Sequence, residues 1–292
     1  SYGGFRGPLL AERLQTEEGI ALRSLVLVSP VLDFGWRRQP AHAPLPRAAL
    51  LPSLAAAAME AEGRLTPEAM RAVEDYAAGE YLSDLMRGLG DPAALARMTG
   101  RVAGLTGLDP EVVGRAAARI DAELFTRERF RDEGRVASAY DATVAGDDPA
   151  PAGGGRPGFE PLLDALTAPL TGAMLELHRE RLGWAPARRY VLLNRGVSRA
   201  WDWGDRAGQP EAVGALSRAL ALDPGLRALV VHGYTDLVTP YFATELILRQ
   251  MRPFGPGERV TTAVYPGGHM FYDRDASRAA FRADALRLYG AE

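Results

Sequence analysis

A serine, an aspartate and a histidine carry the chemistry that this sequence offers. The chain opens S-Y-G-G, and Ser1 followed by two glycines matches the second half of a nucleophile elbow, G-x-S-x-G. In such an elbow the serine sits on a tight strand-to-helix turn, and the glycines let the backbone pack closely. A hydroxyl nucleophile needs a base to accept its proton and a carboxylate to orient that base. Asp236 lies in VVHGYTDLVTP and His269 in VYPGGHMFY, each just past an apolar run. The chain order Ser, Asp, His, with acid and base on loops at the carboxyl ends of strands, suits acyl transfer. Singly, each residue has an ordinary explanation: Asp236 as a turn or helix cap, His269 as a surface residue in a Gly-Gly loop. Their joint arrangement is what points to chemistry. Asp33 is the rival acid, although its neighbours FGWRR read as the start of an insertion. His232 falls inside an apolar run and reads as a core or hydrogen-bonded histidine, His178 as packing at a helix surface, and His42 as solvated in a Pro-rich loop.

Positioning these groups requires strands that end on one edge. LRSLVLVSPVLD (22–33), LRALVVHGYTD (226–236) and RVTTAVYPGGH (259–269) are short apolar runs without alternation, as expected of a parallel sheet covered on both faces. Helical patterns flank them: GPLLAERLQTEEG, YFATELILRQM, and DASRAAFRADALRLYG with Ala279, Phe281, Ala285 and Leu288 as its buried face. The fold class is α/β with crossover helices. Between the first two strands, Thr-Pro and Asp-Pro pairs mark helix starts at TPEAM, DPAAL and DPEVV, where the polar residue caps and Pro takes the first helical position. Residues 1–45 and 191–292 therefore read as the core, and 46–190 as a mainly helical insertion. Within it, 146–158 (GDDPAPAGGGRPG) reads as a mobile loop or a processing site, and FEPLLDALTAPLTGAMLELHRERLGW as an amphipathic helix.

Composition narrows the classes. The net charge is -3 with acids and bases mixed, which gives no nucleic-acid footprint. There is no cysteine, so disulfides and thiolate metal sites are excluded, and the four histidines lack zinc-ligand spacing. No cofactor is expected. No run of about 18 apolar residues is present to span a membrane.

SYGG at Ser1, HGYTDLVTP around Asp236 and PGGHMFY around His269 together resemble the bacterial branch of the serine carboxypeptidases. In that family the elbow reads G-E-S-Y-G-G and the histidine loop G-G/A-H-M. The likeness extends to the insertion, which resembles the family's cap domain, and to GRVASAYDATV (134–144) and NRGVSRAWDWG (194–204), to which the sequence assigns no chemical role. The resemblance implies an α/β-hydrolase fold. It also implies peptide substrates with a free C-terminus, Ser1 as nucleophile, His269 as base, Asp236 as its partner and the backbone N–H of Tyr2 as an oxyanion donor. The family's second oxyanion donor, and the glutamate that helps it recognise the substrate carboxylate, would lie upstream of Ser1. The chain thus reads as the C-terminal part of such an enzyme, incomplete and inactive by itself. An esterase or aminopeptidase of the same fold, or a non-catalytic α/β binding protein, stands as the alternative.

Overall fold

The computed structural model describes residues 2–36, 39–151, 160–185, 187–202, 209–255 and 257–290. Helix α1 (Tyr2–Thr16) leads into β1 (Ser24–Val28). A helical run follows: α2 (Pro44–Ala61), α3 (Pro67–Tyr76), a π turn (Ala77–Tyr81), α4 (Leu82–Arg87), α5 (Pro92–Thr106), α6 (Pro110–Arg115) and α7 (Ala122–Glu128). Then come β2 (Arg135–Ala137), β3 (Ala145–Asp147), α8 (Pro161–Glu176) and α9 (Arg195–Arg199). The chain finishes with α10 (Val213–Leu222), β4 (Arg227–Gly233), α11 (Tyr241–Leu248), β5 (Val260–Tyr265) and α12 (Asp275–Tyr289).

The helix starts form as their capping residues dictate. Thr66 Oγ1 accepts from Ala69 N at 3.1 Å, Asp91 Oδ1 from Ala94 N at 3.0 Å and Asp109 Oδ1 from Glu111 N at 2.6 Å. Each satisfies a backbone donor that the helix leaves open, typically worth about 1 kcal/mol, with Pro following where no donor is needed. The insertion closes around α2, whose residues from Ala48 to Met59 are all buried. Its alanines let neighbouring helices approach, while Leu51 and Leu54 fill the gaps at about 2 kcal/mol each. The same core takes in Leu237, Tyr241 and Phe242, so it is continuous with the segment that follows β4.

The molecule is mixed α/β, and its main sheet is parallel in the order β1-β4-β5, with Ser24 opposite Arg227 and Gly233 opposite Tyr265. Strand β4 is buried on both faces. Ala228 and Val230 meet the layer of α1, α10 and α11, and Leu229 and Val231 meet Phe271 and the inner side of α12. The edge strands β1 and β5 are only partly buried, so the expectation of a sheet covered on both faces holds for the centre alone.

Three further expectations need correction. Gly146 and Asp147, assigned by composition to a mobile loop, pair with Val136 and Arg135 in the antiparallel β2–β3 ladder. Residues 152–158 of that segment lie outside the described residues. Ala279 is exposed and Ser277 is buried on α12, because the phase is set by Phe281 and Leu288 packing on Phe271 and Tyr265. Helix α8 forms as its pattern predicts but buries only Pro161, leaving Leu170 and Leu175 exposed. It lies against β3, and Leu162, Leu163, Leu166 and Met174 are half-buried.

Candidate active site

Two of the expected residues meet. His269 Nδ1 lies 2.8 Å from Asp236 Oδ2. Asp236 is fully buried, while the His269 side chain keeps 13% of its surface. Asp236 stands on the loop after β4 because its Oδ1 accepts from the backbone N–H groups of Val238 (2.8 Å) and Thr239 (2.9 Å), which folds the loop around the carboxylate. Thr239 Oγ1 donates to Oδ2 at 2.6 Å. Burial pushes this carboxyl up, but the hydrogen bonds from His269 and Thr239 outweigh it and hold the group below the ordinary aspartate range. An ionised carboxylate at Nδ1 fixes the imidazole proton there and leaves Nε2 as the proton acceptor.

The histidine loop depends on glycines. Gly267 has φ +117, which a side chain rarely tolerates. A Cβ on Gly268 would sit 2.5 Å from Asp141 Cα and overlap the Tyr140 carbonyl oxygen. A Cβ on Gly233 would collide with the carbonyls of Gly267 and Gly268. The acid and histidine loops therefore touch backbone to backbone, with Thr235 N donating to Gly267 O at 3.0 Å.

Segment 138–143, part of the stretch to which the sequence assigned no role, straps both loops. Ala142 N donates to Thr235 O (3.1 Å), Leu237 N to Ala139 O (3.0 Å) and His269 N to Tyr140 O (2.5 Å). The Tyr140 ring stands edge-on to His269, centroids 5.4 Å apart at 90°. Alternation and helical period do not betray such a strap, since long-range backbone bonds hold it. Its signal in the sequence is the Ser138/Asp141 turn: Tyr140 N and Asp141 N donate to Ser138 Oγ at 3.0 and 3.2 Å.

The start of α1 reaches the same corner. Ser29, at φ 43, follows β1 in a backbone conformation unusual for serine, and its hydroxyl donates to the His269 carbonyl at 3.0 Å. Pro30 follows it, and a Cβ on Gly4 would lie 2.7 Å from Pro30 Cα, so the second glycine of S-Y-G-G allows the helix to close on this corner. Tyr2, the expected oxyanion donor, opens α1, and its ring packs against Trp201 at 4.7 Å. This contact puts Trp201, from the NRGVSRAWDWG stretch, beside α1. Ser1, the expected nucleophile, lies outside the described residues.

The other candidates fall where a structural role suffices. Asp33 Oδ1 accepts from Gly35 N at 2.7 Å and closes a turn. His178 packs against Trp184 (4.8 Å) and Tyr190 (5.7 Å). The carbonyl of His42, in an exposed loop, accepts from Arg119. His232 is buried in β4, and its ring nitrogens find no hydrogen-bond partner among the described residues. Burial pushes it down to about 4, so it is neutral. A cavity of about 1020 Å³ opens at the amino ends of the strands, beside Arg23, Arg227 and Arg259, and neither Asp236 nor His269 lines it. Among the described residues no group of three or more His, Asp or Glu is arranged to hold a metal, and no helix is long and apolar enough to cross a membrane.

No family model, curated protein or solved structure matches the chain.

Proposed function

We propose that this protein is a serine hydrolase of the α/β-hydrolase fold, acting as a carboxypeptidase on peptides with a free C-terminus. The observation that carries the reading is the buried Asp236–His269 pair, 2.8 Å apart, at the carboxyl end of a parallel sheet, with Ser29 binding the histidine loop and Pro30 receiving the start of α1. In this reading Ser1 Oγ attacks the C-terminal peptide carbonyl and His269 Nε2 takes its proton. Asp236 stabilises the resulting imidazolium, and His269 then returns the proton to the leaving amino acid. The developing oxyanion is received by the Tyr2 backbone N–H at the positive end of α1. Water then hydrolyses the acyl-enzyme by the same proton transfers in reverse roles. The choice of peptide over ester substrates draws its support from the SYGG, HGYTDLVTP and PGGHMFY resemblance.

The test is release of C-terminal amino acids by the complete gene product from matched peptides, one free and one amidated at the C-terminus. Cleavage of the free peptide alone is expected, with Asp236→Asn losing about 10⁴ in kcat and His269→Ala at least as much. Equal hydrolysis of amidated peptides or simple esters would replace the carboxypeptidase by a broader hydrolase. Full activity in His269→Ala would reject hydrolytic chemistry at this site.

A further inference from the structure

Arg274 stands just past His269, immediately before α12, and no step of hydrolysis uses it. Its guanidinium reaches back into the fold. One arm binds Glu60 at the end of α2, and the other lies 2.8 Å from Asp141 Oδ2 and 3.0 Å from Thr143 Oγ1 on the strap. Asp141 uses its second oxygen to accept from Thr235 Oγ1 at 2.7 Å, next to Asp236. The side chain of Arg274 also closes over Gly267, where a Cβ would lie 3.0 Å from its Nε. One cation thus ties together the insertion's central helix, the strap that holds Tyr140 against the imidazole, and the loop that carries His269. A planar fork can serve Glu60 and Asp141 at once, whereas a lysine ammonium would act as a point charge on a flexible stem.

We propose that Arg274 is a positioning residue for His269, with Asp141 and Glu60 as its anchors. It clamps the strap onto the histidine loop so that Nδ1–H stays on Asp236, and it makes the helical insertion part of that clamp. The catalytic meaning of the clamp rests on the serine-hydrolase reading, but its geometry can be measured without turnover.

The readout is the far-downfield proton resonance of His269 Nδ1–H in protein labelled with ¹⁵N only at histidine, together with the rate at which that proton exchanges with water. In Arg274→Met the resonance should be lost at temperatures where the fold, followed by circular dichroism, is intact. Arg274→Lys should restore it in part. Glu60→Gln, which leaves Arg274 and Asp141 in place, should keep the resonance but exchange faster. An unchanged position and exchange rate in both folded variants overturns the proposal. If Arg274→Met does not fold, an unchanged Glu60→Gln overturns it alone. Peptide release measured alongside separates the two readings. A wild-type protein that shows the resonance but cleaves no peptide rejects the hydrolase, while the variants still decide the clamp. Undiminished release in an Arg274→Met protein that has lost the resonance rejects the clamp's part in catalysis.

Discussion

Single atoms decide most at the contact between Gly268 and the strap. Because any Cβ there would overlap the Tyr140 carbonyl and crowd Asp141 Cα, Gly268→Ala must push the strap and the histidine loop apart. The expected loss is about 2 kcal/mol or more, read as a lowered urea midpoint with unchanged slope. Gly100 is the control: it lies on an exposed part of α5 with nothing within 4 Å of a built Cβ. Gly100→Ala should stabilise by about 0.5–1 kcal/mol through helix propensity alone. A similar loss at both positions would mean that Gly268 is not packed as described. Asp236 and His269 were legible at this scale because a carboxylate and an imidazole after consecutive apolar runs fall on one edge of a parallel sheet. Asp141 and Arg274 were not. Their contacts join residues 94 to 214 positions apart, which residue type and spacing do not encode.

Between elements, the informative pair is α3 against α11. Glu74 on α3 accepts from Tyr241 Oη on α11 at 2.6 Å, and Glu245 on α11 bonds Arg249 at 3.0 Å. Tyr234, Arg71 and Glu68 also influence this cluster. Burial, and then the charge of Glu74, push Glu245 from 4.5 up to about 7, and burial raises Glu74 as well. A carboxyl raised by folding binds its proton more tightly in the folded state. Its contribution is therefore complete below pH 4.5 and is lost as pH rises to about 7. Glu245→Gln removes that titration. The variant's melting temperature should exceed the wild type's at pH 8, by an amount equivalent to ~3 kcal/mol at most, and the gain should shrink towards pH 5. A gain that does not change with pH would show that Glu245 is not the titrating group. The sequence announces these elements well, since Thr66, Asp91 and Asp109 each begin a helix through a cap that the bonded structure repeats. It misleads at α8, because an apolar stripe records that a face could be buried and not how fully a partner covers it.

For the molecule as a whole, the parallel pairing of β1 with β4 sets the order of events during folding. Ser24 finds Arg227, and Val28 finds Val231, only after the chain between them has been gathered in. Closing a flexible loop of about two hundred residues costs on the order of 5 kcal/mol in chain entropy before one hydrogen bond between β1 and β4 is made. The contacts among α2 to α7 span far shorter separations and form first on this argument. Pulse-labelled hydrogen exchange during refolding should therefore protect amides of α2 and α5 before those of β1, whose one partner strand is β4. Simultaneous protection would show that the sheet and the insertion fold as one cooperative unit. Asp236 and His269 ride on the short-range β4–β5 pairing, but Ser29 and the start of α1 reach them only when β1 joins β4, so the complete site should appear only at the end of folding. An unfinished molecule would hold its helices and lack the finished corner around Asp236 and His269, a built-in delay between having a shape and having a complete candidate site.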